Sequence, residues 1–293
     1  MSDGENLLIC TACGTQYDLP ADPPPKNCRI CDDPRQFVPP SGQSWTSIAK
    51  MKSKYENEWS QDPKDGRIWS VWTEPKFGIG QRCILLQTPD GNVLWDVIAL
   101  LDQKTIQFIN SKGGLKAIVI SHPHYYTTHL EWALAFGCPV YVSVEDKEWL
   151  CRADPSNVRH FIKGPTEQLS TGVTAIKAGG HFPGSLLLHW EKQLFIADTI
   201  VIIPSGVYHI DRLQGTTSFA FMWSIPNMIP LSPDEIQGIW NSLKPFDFDV
   251  ARGAFVNMDI RSKEVKARVL ESMKVHVRRV QSNESCALLE EAV

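Results

Sequence analysis

No window of the 293-residue sequence approaches the ~20 consecutive apolar residues that a membrane helix needs, and the opening MSDGENLLIC has no cationic stretch leading into an apolar run. The expectation is a soluble, cytoplasmic protein with no membrane partner. A basic excess is also missing. With 29 Lys+Arg against 33 Asp+Glu the formal charge is −4, so no global field draws the chain to nucleic acid. The stretch from Arg261 to Arg279 is basic, but Glu264 and Glu271 interrupt it at helical spacing, and it reads as a solvated amphipathic helix. No internal period stands out, which removes repeat architectures. Cysteine pairing is absent from most of the chain: of eight cysteines, Cys83, Cys138, Cys151 and Cys286 stand singly, as buried or inert thiols do.

The other four fall together. Cys10-Thr-Ala-Cys13 and Cys28-Arg-Ile-Cys31 flank fourteen residues that include Pro23-Pro24-Pro25. Two tight C-x-x-C knuckles present the four thiolates that tetrahedral zinc wants, and a segment this short does not bury enough apolar surface to fold alone. A redox role would need one pair in a thioredoxin-like context. Residues 1–40 are therefore expected to form a module resembling a zinc ribbon, with a structural zinc on Cys10, Cys13, Cys28 and Cys31; a similar set holds iron in rubredoxins. Pro39-Pro40-Ser41-Gly42 marks a linker. It leaves three placements open for the module: on the larger domain, over a cleft mouth, or in a homodimer contact.

Residues 41–66 are expected as linker and helix, with an amphipathic helix over Trp45 to Trp59 that Asp62-Pro-Lys-Asp-Gly66 ends. From residue 67 onward a large domain is expected. Arg67 to Thr73, Gln81 to Gln87 and Asn92 to Ile98 read as a β-meander. Leu101 to Gly113 reads as a helix, Ala117 to Ile120 as a buried strand, Thr127 to Phe136 as a helix, Val140 to Val144 as a strand and Glu145 to Arg152 as a helix. Gly172 to Ala197 holds two or three strands, and Ser232-Pro-Asp-Glu235 is a capping box that opens a helix through Leu243. Meander and βα units in one chain predict an α/β layered sandwich.

In such folds, polar residues just past the carboxyl ends of buried strands line the ligand crevice. His122 and His124 follow the strand ending at Ser121, His181 sits in a glycine turn, and Asp198 follows the apolar run Leu194-Phe-Ile-Ala197. Two imidazoles at i and i+2, a third from another strand and a carboxylate make a recurrent set for a first-row metal. Singly, each has a bland reading, as a surface histidine or a helix-capping aspartate.

The order strand-Asp96, His122-x-His124, Gly180-His181-Phe-Pro-Gly184, then Phe195-Ile-Ala-Asp198 resembles the metallo-β-lactamase superfamily from about Arg67 to Val280. "SHPHYYTTHLEWA", "GGHFPGS" and "SIPNMIPL" resemble an uncharacterised branch of it. The resemblance implies a four-layer αββα sandwich, with His122, His124 and His181 holding a metal, Asp198 as its carboxylate ligand and catalytic group, and Asp96 as a structural aspartate. The family's second-metal ligands would fall at Tyr126, Thr127 and near Arg252 to Phe255, where this sequence has none. One catalytic ion, zinc or iron, is the consistent inference. His129, a turn after Tyr126, reads either as a substitute ligand or as a helix residue packed on Trp132 or solvent. His209 reads as cleft lining or surface, and Tyr125 and Tyr126 as oxyanion donors or as rings that exclude water.

Three functions follow. Zinc held by imidazoles acidifies its water to a pKa of about 7, which suits hydrolysis of a small ester, thioester, lactone or amide better than a phosphodiester. Two histidines with Asp198 also match the iron face of oxygenases. Loss of three ligand positions matches a non-enzymatic binding protein with a degenerate site.

Overall fold

The computed structural model describes residues 3–19, 23–208, 213, 215–280 and 286–293. It divides into two compact units, Met1–Ile162 with Ser170–Gly172, and Lys163–Leu169 with Val173–Val293.

In the first unit, β1 (Ile9–Cys10) pairs antiparallel with β2 (Trp45–Thr46), and α1 (Ile48–Met51) follows, capped by the Ser47 side chain. The helix expected over Trp45 to Trp59 therefore stops after one turn. From Glu56 the chain becomes β3 (Glu56–Asp62), which pairs along its length with β4 (Asp65–Glu74). Two features override the helical spacing. The Asp62 carboxylate accepts from the backbone of Lys64 and Asp65 and makes a hairpin turn, and the buried Asn57 side chain spends all its bonds on Leu100, Thr105 and Thr73.

β5 (Arg82–Leu86) and β6 (Val93–Trp95) complete the expected meander. The direction then changes. α2 (Gln103–Ser111) crosses over to β7 (Ala117–Val119), α3 (His129–Phe136) to β8 (Val140–Ser143), and β9 (Arg159–Ile162) ends a seven-stranded mixed sheet whose last four strands run parallel. Parallel neighbours need such crossovers, and they bring the carboxyl ends of β6, β7 and β8 to one edge. The helix expected from Glu145 to Arg152 is a 3-10 segment, Val144–Trp149.

The second unit builds a six-stranded sheet, in which β10 (Thr166–Gln168), β11 (Thr174–Lys177), β12 (Leu186–Trp190) and β13 (Gln193–Phe195) are antiparallel neighbours. β14 (Val201–Ile202), α4 (Pro204–Val207), β15 (Phe219–Ala220), β16 (Met222–Ser224) and β17 (Ile229–Pro230) form small excursions before α5 (Pro233–Leu243). β18 (Val250–Arg252) joins β13 in parallel, β19 (Asp259–Arg261) closes the sheet, and α6 (Val265–Val280) follows. α5 and α6 bury Ile236, Ile239, Trp240, Val269, Met273 and Val277 in one core with Leu187, Leu194 and Ala251. Each unit is thus a sheet with helices packed on it. No helix among the described residues is long and apolar enough to cross a membrane.

Candidate metal centres

The four-cysteine module folds as two knuckles. In the first, Gly14 N–H donates to Cys10 O at 2.9 Å and Cys10 N–H to Thr15 O at 3.0 Å, with Gly14 at a left-handed φ of 81°. In the second, Asp32 N–H donates to Cys28 O at 2.9 Å. The four Sγ atoms lie within 4.8 Å of one another, Cys10 to Cys31 at 3.6 Å and Cys13 to Cys28 at 3.7 Å. A tetrahedral ion with metal–sulfur bonds of about 2.3 Å needs sulfurs about 3.8 Å apart, so the donor set fits. Hydrogen bonds to the sulfurs offset the buried negative charge: Tyr17 Oη lies 3.2 Å from Cys28 Sγ, and Gln43 Nε2 donates to Cys10 Sγ at 3.2 Å.

The module packs within the first unit. Ile9 enters a core with Ile48, Met51, Phe77, Ala99 and Leu100, and Gln16 N–H donates to Thr127 O at 3.1 Å. Arg152 ties the same segment down, through Asp18 and Gln16 on the module and Glu131 on α3. The four-cysteine module is therefore seated on the segment that follows His124.

His122 and His124 come from the carboxyl end of β7, where Pro123–Tyr125 makes a 3-10 turn. Asp96, at a left-handed φ of 59° just past β6, accepts from Ser121 N–H at 2.7 Å and so links the two strand ends. Ser121 Oγ lies 2.9 Å from His122 Nδ1, which fixes the ring with Nε2 on its far side. The two imidazoles sit 5.0 Å apart between centroids, and both are buried.

His181 and Asp198 come from the second unit. The turn Gly179-Gly180-His181 joins β11 to β12, and the Thr199 hydroxyl clamps it by donating to Gly179 O at 2.8 Å while accepting from His181 N–H at 3.3 Å. A hydrogen bond of 3.2 Å joins His181 Nδ1 to Met222 O at the start of β16. His181 Nε2 then stands 3.8 Å from Asp198 Oδ2. That is too long for a hydrogen bond and within the roughly 3–4 Å that two ligands of one ion keep. His181 is fully buried and Asp198 is 7% exposed.

The structure brings His122 beside His124 and His181 beside Asp198, and it gives His129 another task. Its Nδ1 lies 2.6 Å from Tyr126 O and its Nε2 accepts from Arg159 Nε at 2.8 Å, so both ring nitrogens are engaged. Burial and the neighbouring Arg159 push its pKa down to about 3. Tyr126 turns its hydroxyl to Asp146 O at 3.4 Å, and burial, then Asp146, raise its pKa well above the usual phenol value. Tyr125 packs its ring 4.8 Å from His122. Arg252 donates to Gln193 Oε1 at 2.7 Å and faces Asp259. His209 lies outside the described residues. Sequence reasoning missed the bond from His181 to Met222 O because the two are 41 positions apart. Thr199 had a weak signal, as a hydroxyl next to the proposed ligand.

No family model matches the chain. It is 39% identical over 272 residues to the uncharacterized protein YmaE of Bacillus subtilis strain 168, covering 91% of this chain and 92% of that one. Among solved structures it is similar to a metallo-β-lactamase from Erythrobacter litoralis, with a TM-score of 0.52 and 14% identity over 75% of this chain and 96% of that one. It is also similar to the DIM-1 metallo-β-lactamase, with a TM-score of 0.51 and 12% identity over 77% and 99%. At these identities the likeness shows the fold, and it is the metallo-β-lactamase fold.

Proposed function

From a chain that belongs to the family of Bacillus subtilis YmaE and has the metallo-β-lactamase fold, we propose a metal-dependent hydrolase with one catalytic ion, held by His122, His124, His181 and Asp198. The observation that carries the reading is the donor set: four buried side chains of the kind that could hold a metal ion. When bound, the ion supplies a polarised carbonyl and an acidified water at neutral pH.

The protein's own groups do the rest. Ser121 and Met222 O hold the Nδ1 sides of His122 and His181, so each ring presents Nε2. The Asp198 carboxylate orients the attacking water or takes its proton. The Tyr125 ring beside His122 keeps bulk water from that imidazole. A single ion is favoured because the positions a second would use are committed: Tyr126 to Asp146, His129 to Tyr126 and Arg159, and Arg252 to Gln193. Without a second cation to clamp a leaving phosphate, small esters, thioesters, lactones or amides are the substrate class. None of the eight cysteines is joined in a disulfide, which favours a reducing, cytoplasmic setting.

The test is turnover of aryl esters, acyl thioesters, lactones and amides by zinc-loaded protein, with oxygen uptake by iron-loaded protein run in parallel. The expected result is metal-dependent hydrolysis of at least one class, lowered about 10³-fold in Asp198→Asn. Oxygen uptake without hydrolysis, or inertness across the panel, overturns the reading.

A further inference from the structure

We propose that the four-cysteine module is a positioning element for the pair His122 and His124. With its ion bound it holds the turn that carries both imidazoles, and emptying it loosens that turn and weakens metal binding there. The inference rests on the proposed reading of those histidines as ligands, and the residues that carry it all lie in the first unit.

Two residues in left-handed conformations bracket the turn. Asp96, at φ 59°, fixes its start by accepting from Ser121 N–H at 2.7 Å. Thr127, at φ 28°, ends it, three residues past His124 and two before α3 begins. A β-branched residue rarely adopts that conformation, which persists only where the surroundings impose it. The Thr127 hydroxyl gives no local help, since it is buried with no hydrogen-bond partner among the described residues.

The surroundings that impose it belong to the module. Gln16 N–H donates to Thr127 O at 3.1 Å. Gly14, inside the first knuckle, packs so closely that a Cβ there would stand 3.4 Å from Thr127 Cγ2 and 3.1 Å from Ala99 Cβ. The Gln16 side chain extends the hold: its Oε1 accepts from Arg152 Nη1 at 2.6 Å, and the same nitrogen donates to Glu131 Oε1 at 2.6 Å in the first turn of α3. Knuckle, Arg152 and α3 thus form one clasp around Thr127.

The knuckle in turn depends on its ion. Gly14 and Gln16 lie one and three residues past Cys13, and Cys10 N–H closes the same loop on Thr15 O. A short segment of this kind folds as its thiolates close on a metal. Without the ion the loop gains conformations, and the hold on Thr127 relaxes. That folding step is the two-state element through which an ion on the four cysteines reaches the histidines.

The test is zinc titration of the full-length protein against a chromophoric chelator, with the binding step that disappears in His181→Ala assigned to the histidine site. The expected result is about tenfold weaker binding at that step in Arg152→Gln, which keeps all four cysteines and cuts the clasp. The double variant Cys28→Ser with Cys31→Ser, which empties the module, shows the same weakening. Gly137→Ala is the control. It strains the left-handed residue that ends α3, at φ 62° with nothing within 4 Å of the added Cβ, so it lowers stability without touching the clasp and binds zinc as wild type does. Wild-type affinity in Arg152→Gln, or equal weakening in Gly137→Ala, overturns the proposal. Should the double cysteine variant fold poorly, Arg152→Gln decides. A wild type with no step that His181→Ala removes overturns the reading of the histidines and this inference with it, whereas a histidine step that Arg152→Gln does not move sinks the inference alone.

Discussion

His129 is a histidine whose chemistry the fold has already spent. Held between Tyr126 O and Arg159, it stays neutral down to a pKa of about 3, while in the unfolded chain it protonates near 6.5. A depressed folded pKa means that the unfolded state binds more protons between those values. The contribution to stability is therefore complete above pH 6.5 and is lost as the pH falls toward 3, at up to about 1.4 kcal/mol per unit. Urea unfolding at about pH 7 and about pH 5 should show the loss, and His129→Gln should flatten the slope by about one proton. An unchanged slope in the variant would place the acid lability elsewhere. The four proposed ligands were legible in the sequence because each falls at a strand end in a polar turn, whereas His129 shares their neighbourhood without their role. Only the positions of Tyr126 O and Arg159 reveal that difference, and Arg159 lies 30 residues away.

At the scale of the elements, the turn between β11 and β12 decides where His181 stands. Gly180 has φ 86°, and a Cβ there would lie 3.0 Å from Ile239 Cδ1, 3.1 Å from Leu231 Cδ1 and 3.2 Å from Thr199 Cγ2. Gly180→Ala adds backbone strain to close contacts with α5, so a loss of about 1–3 kcal/mol is expected. Thermal unfolding would read that loss, and zinc titration should show weaker binding at the proposed His181 and Asp198 site with the four-cysteine site intact. Full stability and unchanged affinity would mean that the turn tolerates the movement. Elements with a local chemical signature were readable: α5 carries the Ser232 and Glu235 capping box it announces, and the meander strands form over the stretches expected for them. The stretch from Trp45 to Trp59 was not, because helical spacing there lost to pairing with β4, a partner that periodicity does not see. β14 to β17, at two or three residues each, are too short to leave a pattern.

At the scale of the whole molecule, His122, His124 and the four-cysteine module lie in the first unit, and His181 and Asp198 in the second. The motif order and the α/β alternation made this architecture legible. The seating of the module was not, because the Pro-rich linker leaves its placement open and Arg152, Gln16 and Thr127 settle it through contacts far apart in sequence. The central claim is the proposed one, that His122, His124, His181 and Asp198 hold one ion besides the thiolate-held one. Elemental mass spectrometry of protein purified without added metal tests it most directly, on wild type, His122→Ala and His181→Ala. The account predicts two ions per chain in wild type, and one in each variant, in both cases the ion held by the four cysteines. A wild type holding three ions, or a His181→Ala protein that keeps both, would contradict it.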